Sequence, residues 1–247
     1  MQLLPALTHD TALFLDFDGT LTELAPQPDA VRVPLGLVPT LAALQVQLGG
    51  ALAIVTGRRA DDIDGFLAPL MLPLASEHGA RYRLADGSCH GIALPDLAPA
   101  LRAAADLANL HPGLLLEHKT TSLALHYRHA PQLEPLCRDI LAQAVAGMPG
   151  VELLQGKYVL EVKPAGVNKG QAVAVFMSQA PFAGRVPVFA GDDVTDEAGF
   201  GAAQQLGGRG IKIGQGPTLA QYRCLSPAAL RGWLAAGRTH LSARGLA

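Results

Sequence analysis

The stretch Ala12-Leu13-Phe14-Leu15-Asp16-Phe17-Asp18-Gly19-Thr20-Leu21 decides how the chain is read, because an unbroken apolar run stops there at two carboxylates one residue apart. A run with no polar alternation fits a strand covered on both faces, as in a parallel sheet. Ala51 to Val55 stops in the same way at Thr56-Gly57-Arg58, and Pro187 to Ala190 at Gly191-Asp192-Asp193. Leu72 to Ala75 precedes Ser76-Glu77-His78-Gly79, and Ile211-Lys212-Ile213 precedes Gly214. Between these runs lie helical stripes, with Leu37, Leu41, Leu44 and Leu48 on one and Val173, Phe176 and Met177 on another. The outer thirds therefore read as α/β. In open parallel sheets, ligands bind beyond the carboxyl ends of the strands, where these polar segments begin.

The middle of the chain has a different rhythm. The patterns predict a helix over 95–110, strands over 114–117 and 122–127, a helix over 132–146, and strands over 151–154 and 158–162. Leu123, Leu125 and Tyr127 alternate with polar or small neighbours, as in a half-buried antiparallel sheet. The second hairpin is expected to turn at Gln155-Gly156-Lys157. This order describes a small α+β domain over residues 81–163, inserted into an α/β core formed by 1–80 and 164–247. The tail after Gly237 reads as loose.

Composition removes several classes of function. A 49% hydrophobic share over 247 residues supplies a full core, and 19 basic against 21 acidic residues leave a net charge of −2. That balance carries no footprint for nucleic acid or an anionic membrane. No apolar run approaches the roughly 20 residues that span a bilayer. Met1 to Asp10 has neither basic flank nor apolar centre, so the expected location is cytoplasmic. Cys89, Cys137 and Cys224 are too few and too scattered for a disulfide framework.

Period two puts Asp16 and Asp18 on one side of an extended chain, and Asp192, Asp193 and Asp196 arrive from another strand end. Taken singly, Asp18-Gly19 is an ordinary turn and the acids of Gly191 to Glu197 an ordinary helix start. Converging together they repel unless a cation sits among them, and hard oxygen ligands suit Mg²⁺. Thr56-Gly57-Arg58 adds a hydroxyl, an amide and a guanidinium, and Asn168-Lys169-Gly170 places an ammonium near a helix start. Acids beside a hydroxyl, an amide and an ammonium describe a phosphoryl-transfer site.

In this order, Asp16-Phe17-Asp18-Gly19-Thr20, Thr56, Lys169 and Gly191-Asp192-Asp193-Val194-Thr195-Asp196 resemble the four sequential motifs of the haloacid dehalogenase superfamily of aspartate-nucleophile phosphatases. The resemblance implies a Rossmann-like parallel-sheet core with an inserted α+β cap domain of the C2 type, placed after the third strand. It implies that Asp16 attacks phosphorus to form an aspartyl phosphate, and that Asp18 protonates the leaving oxygen and then activates water. It gives Mg²⁺ to Asp16, the main-chain carbonyl of Asp18 and Asp192, with Asp193 and Asp196 supporting through water or from behind. Thr56, the Gly57 amide and Lys169 then neutralise the phosphoryl oxygens.

The cap segments narrow the likeness. Glu117-His118-Lys119, Ser122 to Arg128 and Glu161-Val162-Lys163-Pro164, read with Gly57-Arg58 and Glu77-His78-Gly79-Ala80, resemble trehalose-6-phosphate phosphatases from about Leu13 to Ile213. This implies hydrolysis of trehalose 6-phosphate to trehalose and phosphate, the final step of trehalose biosynthesis. It implies that Arg58, Glu117, Lys119 and Glu161 contact the disaccharide, with His78 nearby, and that the enzyme is functionally coupled to a trehalose-6-phosphate synthase. From the residues alone, Glu117 with Lys119 and Glu161 with Lys163 read equally as cross-strand ion pairs, while His78 and His126 read as structural. Where the family often has a glycine soon after the cap lysine, Thr120-Thr121 stands, implying a differently shaped loop. Two alternatives share the fold: another C2-capped sugar phosphatase, acting on sucrose phosphate, mannosyl-3-phosphoglycerate or a hexose phosphate, and a non-catalytic sugar-phosphate sensor.

Overall fold

The computed structural model describes residues 3–93, 95–119 and 121–244. In chain order the elements are β1 (Thr11–Leu15), α1 (Leu37–Gln47), β2 (Leu52–Val55), α2 (Ala60–Leu67), β3 (Leu74–Ser76), β4 (Arg81–Arg83) and β5 (Cys89–Gly91). Then come α3 (Ala98–Leu110), β6 (Leu115–His118), β7 (Leu123–His126), α4 (Glu134–Ala146), β8 (Val151–Gly156) and β9 (Val159–Pro164). Last are α5 (Lys169–Met177), β10 (Val186–Gly191), α6 (Glu197–Gln205), β11 (Arg209–Ile213), β12 (Tyr222–Cys224) and α7 (Pro227–Arg244). The chain divides into two compact units, Met1–Gly91 with Asn168–Ala247, and Ile92–Val167.

The first unit is built on an eight-stranded sheet in the order β12-β11-β10-β1-β2-β3-β4-β5. The strands from β12 to β3 run parallel, and β4 and β5 add an antiparallel edge. The unbroken hydrophobicity of the central strands follows from two cores. Leu13 and Leu15 pack into a layer with Leu41, Leu44, Ile63 and Leu234, while Ala12 and Phe14 pack into one with Val173, Phe176 and Phe200. From β1 the chain steps through β2 and β3 in one direction, and later through β10, β11 and β12 in the other. The strand order therefore reverses between β1 and β10, where Leu15 is paired with Ala190. A crevice opens at such a reversal, and the residues following both strands border it.

The second unit is a four-stranded antiparallel sheet, β6-β7-β9-β8. Leu123, Leu125, Leu160 and Val162 on one face pack with Ala100, Ala104 and Leu107 of α3 and Cys137 and Leu141 of α4. The helix, hairpin, helix, hairpin order is the one the sequence patterns describe.

Several boundaries differ from the sequence reading. The units divide at Gly91/Ile92 and Val167/Asn168 instead of 80/81 and 163/164, because β4 and β5 extend the first sheet and β9 runs on to Pro164. The hairpin expected at Gln155-Gly156-Lys157 turns at 157–158: Gly156 pairs with Val159, and Tyr158 takes the left-handed conformation, φ 64°. The helix expected from residue 95 begins at Ala98, whose N–H bonds Asp96 Oδ1 at 2.9 Å. The helix expected from 132 begins as a 3-10 turn over Pro131–Leu133. The tail expected to be loose is helical to Arg244, anchored by buried Leu230, Leu234 and Leu241. Thr120 of the cap loop lies outside the described residues. Among the described residues, no helix is long and apolar enough to cross a membrane.

Candidate active site

Asp16 follows β1 directly and is buried, its N–H bonding Ala190 O of β10 at 2.9 Å. Lys169 reaches it from the first turn of α5, a helix capped by the Asn168 side chain, which accepts the Gln171 N–H at 3.0 Å. Lys169 Nζ lies 2.7 Å from Asp16 Oδ1 and 2.6 Å from Asp196 Oδ1. Asp196 is fully buried, and its other oxygen accepts the main-chain N–H groups of Asp192 and Asp193, each at 2.9 Å. Carboxylate oxygens of Asp16, Asp192 and Asp196 come within 4.8 Å of one another.

Gly19 makes this convergence possible. Its φ of +72° is open to glycine, and a Cβ there would sit 2.2 Å from Asp192 Oδ2. The Asp192 carboxylate thus lies directly on the turn after Asp16 and Asp18, where Thr20 Oγ1 bonds Asp192 Oδ1 at 3.4 Å.

Electrostatics mark the cluster as short of positive charge. Burial and the neighbouring charges of Asp196 and Asp192 hold the Asp16 carboxyl well above the ordinary range, despite Lys169. Burial, and then Asp196, push Asp192 up to about 7. Burial alone lowers the Lys169 ammonium, but the carboxylates of Asp16 and Asp196 outweigh it and hold the group charged. One ammonium, that of Lys169, answers Asp16 and Asp196 directly. The Asp192 carboxylate has no cation within ion-pair distance among the described residues, so this set of hard oxygens fits a divalent cation such as Mg²⁺. Asp196, with both oxygens engaged, organises the loop from behind. Asp193 is exposed and caps the 3-10 turn Val194–Asp196, its side chain accepting the Val194 N–H at 2.7 Å.

Asp18 faces a different partner. Arg58 meets it in a forked ion pair, with Nε 2.6 Å from Oδ2 and Nη2 2.8 Å from Oδ1. The guanidinium lies over the Phe66 ring of α2 at 5.1 Å from its centroid, and Phe66 stacks on Phe17 at 5.5 Å. Arg58 belongs to the loop after β2. There Thr56 is buried, with its Oγ1 accepting the Arg58 N–H at 3.2 Å.

That loop is gripped from β3. The Glu77 N–H bonds Arg58 O at 3.0 Å and the His78 N–H bonds Thr56 O at 2.9 Å. Glu77 and His78 both take left-handed backbone, φ 49° and 61°, an unfavourable conformation for residues with a Cβ. The His78 ring lies where a Gly57 Cβ would be, its Nε2 2.6 Å from that position. With the Thr56 carbonyl turned towards His78, planarity of the trans peptide aims the Gly57 N–H the opposite way.

In the second unit, Glu117, Lys119 and Glu161 share one sheet face with Ser122 and His126, opposite the face carrying Leu160. Glu161 is buried, accepting Ser122 Oγ–H at 2.9 Å and pairing with Lys119 Nζ at 3.2 Å. Glu117 pairs with His126. Lys163 turns to Glu152, at 2.5 Å, and donates to Val167 O. Ion pairs are thus present with partners other than those read from the sequence, Lys119 with Glu161, His126 with Glu117 and Lys163 with Glu152, and around acids that are buried or half-buried instead of on a wet surface.

Residues the sequence reading passed over also stand in these clusters. Lys212 is buried in β11 and donates to the main-chain carbonyl of Asp192, yet within Ile-Lys-Ile nothing in the sequence marks it. Thr20 and Ser122 fall inside segments quoted above, yet nothing there assigns either of them a role.

The parallel sheet with acids across its reversal point and an antiparallel unit inserted in the chain defines a haloacid dehalogenase-like hydrolase. A haloacid dehalogenase-like hydrolase from B. subtilis has the same fold, with a TM-score of 0.65 at 14% identity over 90% of this chain and 98% of that one. More narrowly, the chain belongs to the trehalose-phosphatase family, whose profile matches residues 14–227. It is 42% identical to the trehalose-6-phosphate phosphatase of Escherichia coli (strain K12), across 93% of this chain and 87% of that protein. The crystal structure of a trehalose-6-phosphate phosphatase related protein superposes with a TM-score of 0.75 at 28% identity, over 94% of this chain and 99% of the other.

Proposed function

We propose that the protein is a Mg²⁺-dependent phosphomonoester hydrolase that converts trehalose 6-phosphate to trehalose and inorganic phosphate through an aspartyl phosphate on Asp16. The observation that carries this reading is the buried Asp16, held by Lys169 and ringed by Asp192 and Asp196, in a chain of the trehalose-phosphatase family. Asp16 Oδ1 is tied to Lys169, which leaves Oδ2 to form the bond to phosphorus as the bond to the sugar oxygen breaks. Asp18 gives its proton to the departing oxygen, then takes one from the water that attacks phosphorus and frees Asp16. Because Arg58 holds both oxygens of Asp18, it has to swing away first, and a ligand that draws the guanidinium to itself makes that possible.

Thr56, the Gly57 N–H and Lys169 stabilise the phosphoryl oxygens. Asp16, Asp192 and the main-chain carbonyl of Asp18 would hold Mg²⁺, which supplies further positive charge to those oxygens, and Asp196 and Asp193 keep the ligand loop in place. The sugar is recognised by Arg58 and His78 of the first unit and by Glu117, Lys119 and Glu161 of the second. Fixed carboxylates and ammonium groups suit sugar hydroxyls, since an analogue lacking one leaves a buried group unpaired. The enzyme acts in the cytoplasm, coupled to the synthase that makes its substrate.

Phosphate release from trehalose 6-phosphate, with Mg²⁺ and with EDTA, tests this reading against sucrose phosphate, mannosyl-3-phosphoglycerate and hexose phosphates. The expected result is a strong preference for trehalose 6-phosphate that EDTA abolishes. Equal turnover across the panel would sink the substrate assignment, and activity in EDTA the metal assignment.

A further inference from the structure

The polar face of the second sheet carries two carboxylates of the proposed sugar site, secured in different ways. Glu161 is held by Lys119 and Ser122, both close at hand on that face. Glu117 is a long side chain on β6, near the sheet edge, and its side chain is 34% exposed. Such a group samples several rotamers, and fixing it on a ligand costs affinity unless another side chain fixes it beforehand.

The strand register supplies that side chain. Leu115 lies opposite His126 and Glu117 opposite Ala124, so Glu117 and His126 are diagonal neighbours on one face. His126 Nε2 lies 3.0 Å from Glu117 Oε2. A carboxylate cannot donate, so Nε2 carries the hydrogen. The imidazole bond also holds the Glu117 carboxyl below its ordinary range, with Lys119 adding to the effect. Nothing in the chemistry proposed above uses this imidazole.

We propose that His126 is a positioning residue for sugar recognition: its Nε2–H fixes one oxygen of Glu117 and aims the other as an acceptor for a sugar hydroxyl. The inference rests on the substrate reading given above. His126 has no part in the phosphoryl chemistry proposed above, so the contribution inferred for it is to the binding of the sugar and not to the bond-breaking step.

The test compares wild type, His126→Ala, His126→Gln and His126→Asn, each assayed on trehalose 6-phosphate and on p-nitrophenyl phosphate, which has no sugar. The Gln amide nitrogen takes the place of Nε2, whereas the Asn amide takes that of Nδ1. His126→Ala and His126→Asn are expected to raise KM for trehalose 6-phosphate by roughly five- to twentyfold with kcat little changed, and His126→Gln to restore KM to within about twofold. Turnover of p-nitrophenyl phosphate and the melting temperature stay at wild-type values in all three variants. An unchanged KM in His126→Ala overturns the inference, as does a Gln variant no better than Ala, or an equal loss on both substrates. Failure of wild type itself to turn over trehalose 6-phosphate overturns the substrate reading instead.

Discussion

Asp18 and Arg58 form a two-pronged ion pair at 2.6 and 2.8 Å, and the guanidinium that makes it rests on the ring of Phe66. A planar fork matched to a carboxylate is not reproduced by an ammonium. Arg58→Lys is therefore expected to lower kcat/KM for trehalose 6-phosphate by about ten- to hundredfold, read by steady-state kinetics. An unchanged value would remove Arg58 from the site.

Asp18→Asn keeps the shape of the carboxylate but can neither give nor take the proton. Turnover should fall by at least ~10³-fold, with the melting temperature and its response to Mg²⁺ nearly unchanged. Full activity in this variant refutes the acid-base role of Asp18.

Lys169 is buried against two carboxylates, so removing its charge strands both of them. Lys169→Met is expected to cost about 3–5 kcal/mol in urea unfolding, together with all activity. A cost below about 1 kcal/mol would mean that Asp16 and Asp196 escape by taking up protons.

The pH dependence has a definite sign. Asp192 is pushed up to about 7 by burial and the Asp196 charge, against an ordinary aspartate value near 4. The folded chain then binds the proton more tightly than the unfolded chain. In the metal-free protein, the Asp192 contribution to stability is complete below about pH 4 and lost as pH rises through about 7. Mg²⁺ competes with that proton, so its stabilising effect runs the other way and grows between about pH 5.5 and about pH 8. Melting temperatures with Mg²⁺ and with EDTA measure this, and an equal Mg²⁺ effect at both ends of the range contradicts it.

Gly19→Ala probes the closeness of Asp192. A Cβ 2.2 Å from Oδ2 forces the carboxylate aside, and alanine pays ~1–2 kcal/mol for the left-handed φ as well. The variant is expected to fold with a reduced melting temperature, to lose most of its Mg²⁺ response, and to drop at least ~100-fold in kcat/KM. Wild-type Mg²⁺ binding would show that Asp192 can act from another position.

The motif residues were legible because each ends a strand buried on both faces, where a carboxylate or hydroxyl has no structural reason to be. Asp16, Thr56 and Asp192 stand out on those grounds, and Lys169 through its place at a helix start. Other parts depend on facts that do not lie along the chain. The pairing of His126 with Glu117 follows from the β6/β7 register, and the bond from Lys212 to Asp192 from the adjacency of β10 and β11. The β4–β5 edge was missed because Arg81-Tyr82-Arg83 and Cys89-His90-Gly91 are short and mixed in polarity, which moved the unit boundary. The turn at 157–158 was hidden because a left-handed Tyr158 carries no turn signature, whereas Gly156 two residues before it does.

The pairing of Leu15 with Ala190 joins two strands made far apart in time, because β10 follows the whole of the second unit along the chain. The second unit is one continuous segment, complete once Val167 has been synthesised. At that moment β1 lacks its central neighbour β10, and neither Lys169 nor Asp192 exists. The inserted unit can therefore fold on the ribosome while the first sheet is still half-built. Asp16 is buried among like charges only when β10 arrives, so that electrostatic load falls late, after the second unit has been made and while α6, β11, β12 and α7 are still to come.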